Sequence, residues 1–219
     1  MCIRDSLKDM RTYLPTLMKA TVMTLLLVLI TMLLSPVGGL FIALGRISRM
    51  KVLSGLFWCY IWIFRGTPLL LQLFFIYYGL PSMGITLEPF PAAVLGLGLN
   101  YSAYLAEIMR GAIESIDAGQ MEAAKSLGMS YWQAMRRIII PQTYKRLVPP
   151  VGNEFVALLK DSSLVSILAV ADLLRRGREF ASQSFTYFET YTMVALVYLM
   201  ITLFFSKLIS HMEEKISAE

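Results

Sequence analysis

The sequence predicts an all-α membrane domain, on three observations: composition, the length of its apolar runs, and the placement of charge between them. Of 219 residues, 57% are hydrophobic and 16% charged, against roughly 45–50% and about 25% in an ordinary soluble domain. A core of this size cannot enclose that much apolar surface, so the excess faces lipid. The net charge of +5 comes from basic residues grouped in short segments between apolar runs. That is the pattern of membrane loops and not of a nucleic-acid surface.

A spanning helix needs about 20 apolar residues to cross roughly 30 Å of hydrocarbon at 1.5 Å per residue. Five stretches qualify: Leu17–Leu44, Val52–Tyr78, Ala92–Ile113, Val151–Leu173 and Tyr191–Ser210. The first is interrupted by Ser35-Pro36-Val37-Gly38-Gly39, where a kink is expected. The fourth is the least apolar. Residues 1–16 form an N-terminal segment, outside the membrane or at its surface, and Lys8–Lys19 reads equally as an interfacial helix or a solvated tail. Residues 17–210 form one membrane domain without internal repeat, and 211–219 form a tail. The first apolar run is too long for a signal-peptide core. Cys2 has no apolar stretch before it, and Cys59 lies inside an apolar run, so neither points to lipidation or a disulfide.

Loop charge orients the spans. Arg46, Arg49 and Lys51 follow the first span, and Lys125, Arg136, Arg137, Lys145 and Arg146 follow the third. The segment from Pro81 to Pro91 holds no Lys or Arg. The positive-inside tendency places the first and third loops and the C-terminus in the cytoplasm, with the N-terminus outside. Arg175, Arg176 and Arg178 in the fourth loop, with Lys8 and Arg11, run against that rule and are carried outside by alternation.

The loop at about 114–150 holds the sharpest pattern. Asp117 with Gln120 and Ser130 with Gln133 are capping-box pairs. Gly128 stands where a left-handed C-cap is wanted, and Pro141 is expected to stop the second of two short helices. Ala123 and Ala124 allow another surface to approach the first. On these grounds alone the loop is a helical hairpin packed on its own domain.

Glu122-Ala123-Ala124, three residues, Gly128, nine residues, then Ile138-x-Ile140-Pro141 resembles the EAA loop of bacterial ABC-importer permeases, with Ile140 where Leu is usual. Phe64-Arg65-Gly66-Thr67-Pro68-Leu69-Leu70-Leu71-Gln72, Tyr104–Gly111 and Leu159–Leu164 resemble the polar amino acid branch of that family. The resemblance implies an ABC type I importer permease fold in the bacterial inner membrane. It implies that Glu122, Ala123, Ala124 and Gly128 couple the spans to an ATPase. It also implies partners: two ATP-binding cassette subunits inside, a second permease chain, identical or related, and an extracytoplasmic amino-acid-binding protein. No Gly is followed by Lys anywhere, so the chain lacks a phosphate loop. It is expected to bind no cofactor, ATP and Mg being held by the partner ATPase.

Charge at membrane depth is expensive, roughly 2.5–3.5 kcal/mol per residue on insertion scales. Lys160 and Asp161 fall near the middle of the fourth span, either as an internal pair or with Asp161, Ser162 and Ser163 lining the pathway and meeting a polar substrate. Arg65, beside Gly66 and Pro68, either satisfies backbone freed by a broken helix, as Thr67 can, or holds a substrate carboxylate. Gln72 reads as a polar wall of the cavity. Glu107 and Arg110 read as a structural pair, and Glu154 reads equally as structural. One histidine, His211, makes no metal site. An ion-coupled secondary transporter is the rival reading, because midplane charge suits ion coupling equally well; it leaves the EAA-type loop unexplained.

Overall fold

The computed structural model describes residues 3–218, with side chains from Tyr13 to Ile216; Cys2 falls outside them. Most of the described residues are helical, with no strand among them. The elements are α1 (Ile3–Ile47), α2 (Lys51–Gly66), α3 (Leu69–Phe74), α4 (Pro89–Glu114), α5 (Ala118–Ser126), α6 (Tyr131–Ala134), α7 (Ile140–Asp161), α8 (Leu173–Ser184) and α9 (Tyr187–Ala218). Three are long and apolar enough to cross a membrane, and a fourth span results if α2 and the following segment to Met83 count as one bent pair. α7 is the fifth long helix. It packs on α4 and α9.

α1 buries one stripe, Leu17, Ala20, Thr24, Leu27, Val28, Thr31 and Ser35, at helical spacing. Thr24 and Ser35 bond the carbonyls of Ala20 (3.1 Å) and Thr31 (2.8 Å), so their hydroxyls enter the interior satisfied. The helix runs unbroken through Ser35–Gly39, and that stretch is a packing surface. A Cβ on Gly38 would stand 2.7 Å from Ser102 Oγ, and one on Gly39 would stand 2.9 Å from Leu105 Cβ. Small residues here let α1 lie along α4, the most extensive helix pairing of the fold. Gly39→Leu is expected to destabilise the protein by about 1–3 kcal/mol through overpacking, read as a lower melting temperature in detergent; an unchanged melting curve would contradict this packing.

Pro141, expected to end a helix, does not. Pro141 sits in the first turn of α7, after a π-turn over Met135–Ile139. The wider i→i+5 turn makes room for the proline ring and shifts the bonding past its missing N–H, so the chain continues from α6 into α7. The same device, a π-turn at Phe75–Gly79, precedes Pro81. Pro149 and Pro150 lie within α7. α7, which covers most of the fourth span expected from sequence, begins at Ile140, ahead of the expected Val151, and is not among the helices apolar enough to cross a membrane by themselves. It gives way to a 3-10 segment, Ser162–Leu168, which ends short of the expected Leu173.

α8 is capped by Asp172, whose carboxylate accepts from the backbone N–H groups of Leu174 (3.0 Å) and Arg175 (3.3 Å). Its first N–H, on Leu173, donates to Thr24 Oγ1 at 3.0 Å and ties α8 to α1. Partial burial alone would raise the Glu179 carboxyl, but hydrogen bonds from Arg176 and Arg175 hold it below the usual carboxylate range.

Candidate functional site

The second span is broken by 104° between α2 and the helix that follows. Pro68 has no N–H, and Thr67 is extended at φ −119° and ψ 148°, so carbonyls at the end of α2 lose their helical partners. The Gln72 side-chain amide replaces them. Its Nε2 donates to Phe64 O (2.8 Å), Thr67 O (3.1 Å) and Thr67 Oγ1 (2.8 Å), while Thr67 Oγ1 donates to Ile63 O (2.8 Å). Asn100 on α4 donates to Phe64 O (3.0 Å) and to Gln72 Oε1 (3.0 Å). Thr67 thus satisfies freed backbone as one reading of the sequence had it. Gln72 borders a largely apolar cavity of about 500 Å³ together with Thr67 and Phe64, but it is buried and its amide is engaged as a clamp on the break. Gln72→Leu leaves Thr67 O unpartnered, at about 1–3 kcal/mol, while Phe64 O keeps its bond from Asn100, and the expected result is a lower melting temperature and reduced membrane yield. Equal stability to the parent would contradict the clamp.

Arg65 does not serve the break. Its guanidinium lies 5.0 Å above the Tyr104 ring and 3.8 Å from Glu107, half open to a pocket of about 430 Å³ also lined by Trp58, Trp62 and Arg46. Glu107 is held by both arms of Arg110, at 3.0 and 2.8 Å, the structural pair expected from sequence. One turn along α4, Tyr101 lies 6.4 Å from Tyr104, ring to ring, and its hydroxyl donates to Asp161 Oδ2 at 2.8 Å. Asp161, Tyr101, Tyr104, Arg65, Glu107 and Arg110 therefore form one continuous polar ladder along α4. Tyr101 and Asn100 were not singled out in the sequence. Their signal was present only as helical spacing, Tyr101, Tyr104 and Glu107 standing three apart on one face.

The α7 end of the ladder separates the three candidates grouped there. Asp161 is partly open and closes α7. Ser162 is fully buried, its hydroxyl turned back to Leu159 O at 2.7 Å, so it does not face the pathway; Ser163 is partly open. Successive residues turn by about 100° in an α-helix and about 120° in the 3-10 segment that starts at Ser162, so the three neighbours face different sides. Lys160 is exposed and makes no ion pair with Asp161 among the described residues.

At the far end of α7 stands the hairpin. Asp117 caps α5 by accepting from Gly119 N–H at 2.6 Å. Gln120 does not complete the expected box; its Oε1 accepts from Gln142 on α7 at 3.3 Å. The Ser130–Gln133 box has both arms. Gly128, at φ +79°, ends α5 in a Schellman arrangement, Met129 N–H donating to Ala124 O and Gly128 N–H to Lys125 O. Arg146 on α7 bonds Ser115 O, closing the loop on its own base.

Ala124 is 1% exposed and faces inward, where α5 packs against α6 and the π-turn. It is the internal contact, and Glu122 and Ala123 are the exposed face. The hairpin presents three large apolar groups missed in the sequence: Leu127 (79% exposed), Trp132 (77%) and Tyr131. Motif spacing hid them because apolar residues in a short loop read as core.

A family model described as the binding-protein-dependent transport system inner membrane component matches residues 35–218. The chain is 44% identical over 195 residues to the probable amino-acid permease protein YxeN of Bacillus subtilis, covering 88% of this chain and 87% of that one. It is 36% identical over 203 residues to the glutamine transport system permease protein GlnP of Escherichia coli, covering 92% and 93%. A solved amino acid ABC transporter with histidines superposes with TM-score 0.89 at 44% identity, covering 94% of this chain and 96% of that one. The inward-facing methionine transporter MetNI, at 16% identity and TM-score 0.64, shares the fold. Ion-coupled secondary transport is not supported by these likenesses. The chain belongs to the family of inner membrane components of binding-protein-dependent transport systems.

Proposed function

We propose that this chain forms one half of the pathway of an ATP-driven importer of polar amino acids. The observation that carries the reading is α7 itself, which joins the hairpin at one end to the Asp161–Tyr101 pair at the other. Its 22 residues reach about 33 Å at 1.5 Å rise, a bilayer's thickness. Displacement of the hairpin by a partner is thereby delivered to the residues that meet substrate.

The roles follow from the chemistry. Asp161, oriented by the Tyr101 hydroxyl, accepts the α-amino group or a cationic side chain of the substrate, and Ser163 adds a hydroxyl beside it. Arg65, poised over Tyr104 and only loosely held by Glu107, meets the substrate carboxylate in the pocket lined by Trp58 and Trp62. Gln72 and Thr67 hold the break that brings Arg65 to that pocket. Glu122, Ala123 and Gly128, with Leu127, Tyr131 and Trp132, seat the hairpin in a groove of a separate ATP-binding cassette subunit. ATP and Mg bind there and not on this chain. The N-terminus and α8 lie outside, the hairpin and C-terminus inside, and a second permease chain completes the pathway. An extracytoplasmic binding protein delivers the substrate. Closing of the ATPase pair on ATP moves the hairpins, opens the pathway outward, and hydrolysis returns it inward.

Trp132→Cys in a chain with Cys2 and Cys59 replaced by Ser is expected to cross-link to the ATPase subunit with a short bifunctional thiol reagent, at a yield that changes when ATP is added. A cross-link to no ATPase chain under any nucleotide condition overturns the coupling assignment.

A further inference from the structure

Two guanidinium groups, Arg65 and Arg46, line the pocket of about 430 Å³ beside Trp58 and Trp62. Only one of them has a carboxylate within reach. Arg65 stands 3.8 Å from Glu107, whereas Arg46 makes no ion pair among the described residues. The Glu107 carboxylate is itself committed to Arg110 at 2.8 Å and does not turn to Arg46.

Arg46 lies in the last turn of α1 and is part-buried. Its Nη1 donates to Ser54 Oγ at 2.9 Å, and the same hydroxyl donates to Arg46 O at 2.8 Å. Among the described residues that is the one side-chain bond of a group with five donors. Its Nε is buried without an acceptor. A cation drawn out of water with a single neutral acceptor is under-satisfied, and such a group marks a place where an anion binds. The position also fits a path. Ser54 and Arg65 are eleven residues apart on α2, about 16.5 Å at 1.5 Å per residue, and Trp58, Ile61 and Trp62 line the pocket between them. The pocket has the volume of a small-molecule site.

We propose that Arg46 is a second carboxylate-binding residue, which takes the substrate carboxylate from Arg65 in the inward-facing state and holds it on the way to the cytoplasm. This rests on the importer reading, with Arg65 as the first carboxylate partner and the α1–α2 loop inside. A carboxylate passed from one guanidinium to the next keeps charged hydrogen bonds and is never left bare between the indole rings. Because an α-carboxylate is common to all amino acids, Arg46 sets how firmly a substrate is held before release. Choice among side chains stays at the Asp161 end of the ladder.

The test is equilibrium binding of labelled glutamine, glutamate, arginine and histidine, and of the α-amide of each, to the nucleotide-free transporter assembled with its ATPase subunits in nanodiscs. Arg46→Gln is expected to weaken binding of whichever of these amino acids the parent binds by roughly tenfold, the loss of a charge-assisted bond, with their ranking unchanged. Arg46→Lys keeps the charge and is expected to recover most of that loss. The parent is expected to bind the α-amide weakly. Arg46→Gln is expected to weaken amide binding far less than binding of the acid, because the two changes remove the same contact. Ser54→Ala separates a merely structural role: it cuts the tie between Arg46 and α2, keeps the charge, and is expected to bind like the parent. A loss in Ser54→Ala equal to that in Arg46→Gln, or an equal loss for acid and amide, overturns the proposal. So does a loss seen in nanodiscs containing phosphatidylglycerol and absent in pure phosphatidylcholine, which assigns the guanidinium to a lipid phosphate. Unchanged binding in Arg46→Gln, or no binding by a parent that takes up amino acid with ATP, overturns it and leaves the importer reading standing. The importer reading fails separately, by uptake that needs no ATP.

Discussion

Asp161→Asn is expected to weaken uptake of the preferred amino acid by about 10- to 100-fold at low substrate, the loss that accompanies removal of a charged hydrogen-bond partner worth about 1.5–3 kcal/mol. The carboxylate stands where α7 gives way to a 3-10 turn, with Tyr101 Oη bound to Oδ2 at 2.8 Å. One oxygen is thus oriented by protein and the other is left for a ligand. The asparagine amide keeps size and hydrogen bonding but loses the charge, so a cationic or α-amino partner is affected more than the fold. Tyr101→Phe separates the two roles. It removes the orienting donor, leaves the charge, and is expected to have a smaller effect with the same substrate ranking. The readout is initial uptake rate into proteoliposomes across a panel of labelled amino acids. Unchanged uptake of every amino acid in Asp161→Asn removes that residue from the site.

The second large effect belongs to the hairpin. Leu127→Asp combined with Trp132→Asp is expected to abolish ATP-driven uptake while the protein still inserts and elutes as a single species. Both side chains are more than three-quarters exposed, so neither supports the fold of the isolated chain, and exposed aromatic anchors dominate the energy of an interface. Ala124→Arg is expected to behave differently. Ala124 is buried between α5 and the α6–π-turn segment, so a long charged side chain there disrupts the hairpin itself and lowers stability along with uptake. Gly128→Trp acts at a third level. At φ +79° a side chain costs about 1–2 kcal/mol in backbone strain, enough to misdirect the end of α5 without unfolding the spans. Parental uptake in the Leu127 and Trp132 double variant contradicts the docking role of the exposed apolar groups.

The helices and the hairpin were legible from the chain because both rest on local rules. Apolar length marks a span wherever it occurs, and Ser130 with Gln133 caps a helix whatever lies around it. The errors came from residues whose role depends on a distant partner. Pro141 reads as a stop until the π-turn before it is seen, and the packing role of Gly38 and Gly39 is visible only when α4 is laid against them. Gln72 does border a cavity, as its polarity at membrane depth suggests, but its amide is already taken. What it satisfies is backbone eight residues earlier, freed by a 104° bend that local sequence signals without giving its angle. Ser162 and Asp161 are neighbours in sequence and turn about 100–120° apart in any helix, and which of them faces inward depends on the packing around the end of α7. The Asp161–Tyr101 contact joins residues 60 apart, and only the packing of α4 on α7 brings them together.

The central claim, that ATP drives an amino acid along this ladder, is tested most directly by uptake of a panel of labelled amino acids into proteoliposomes. These contain the permease, its ATPase subunits and its binding protein. The account predicts uptake of one or a few polar amino acids that requires ATP and the binding protein and is unaffected when ion gradients are collapsed. Uptake that proceeds without ATP and follows an imposed proton or sodium gradient would contradict it.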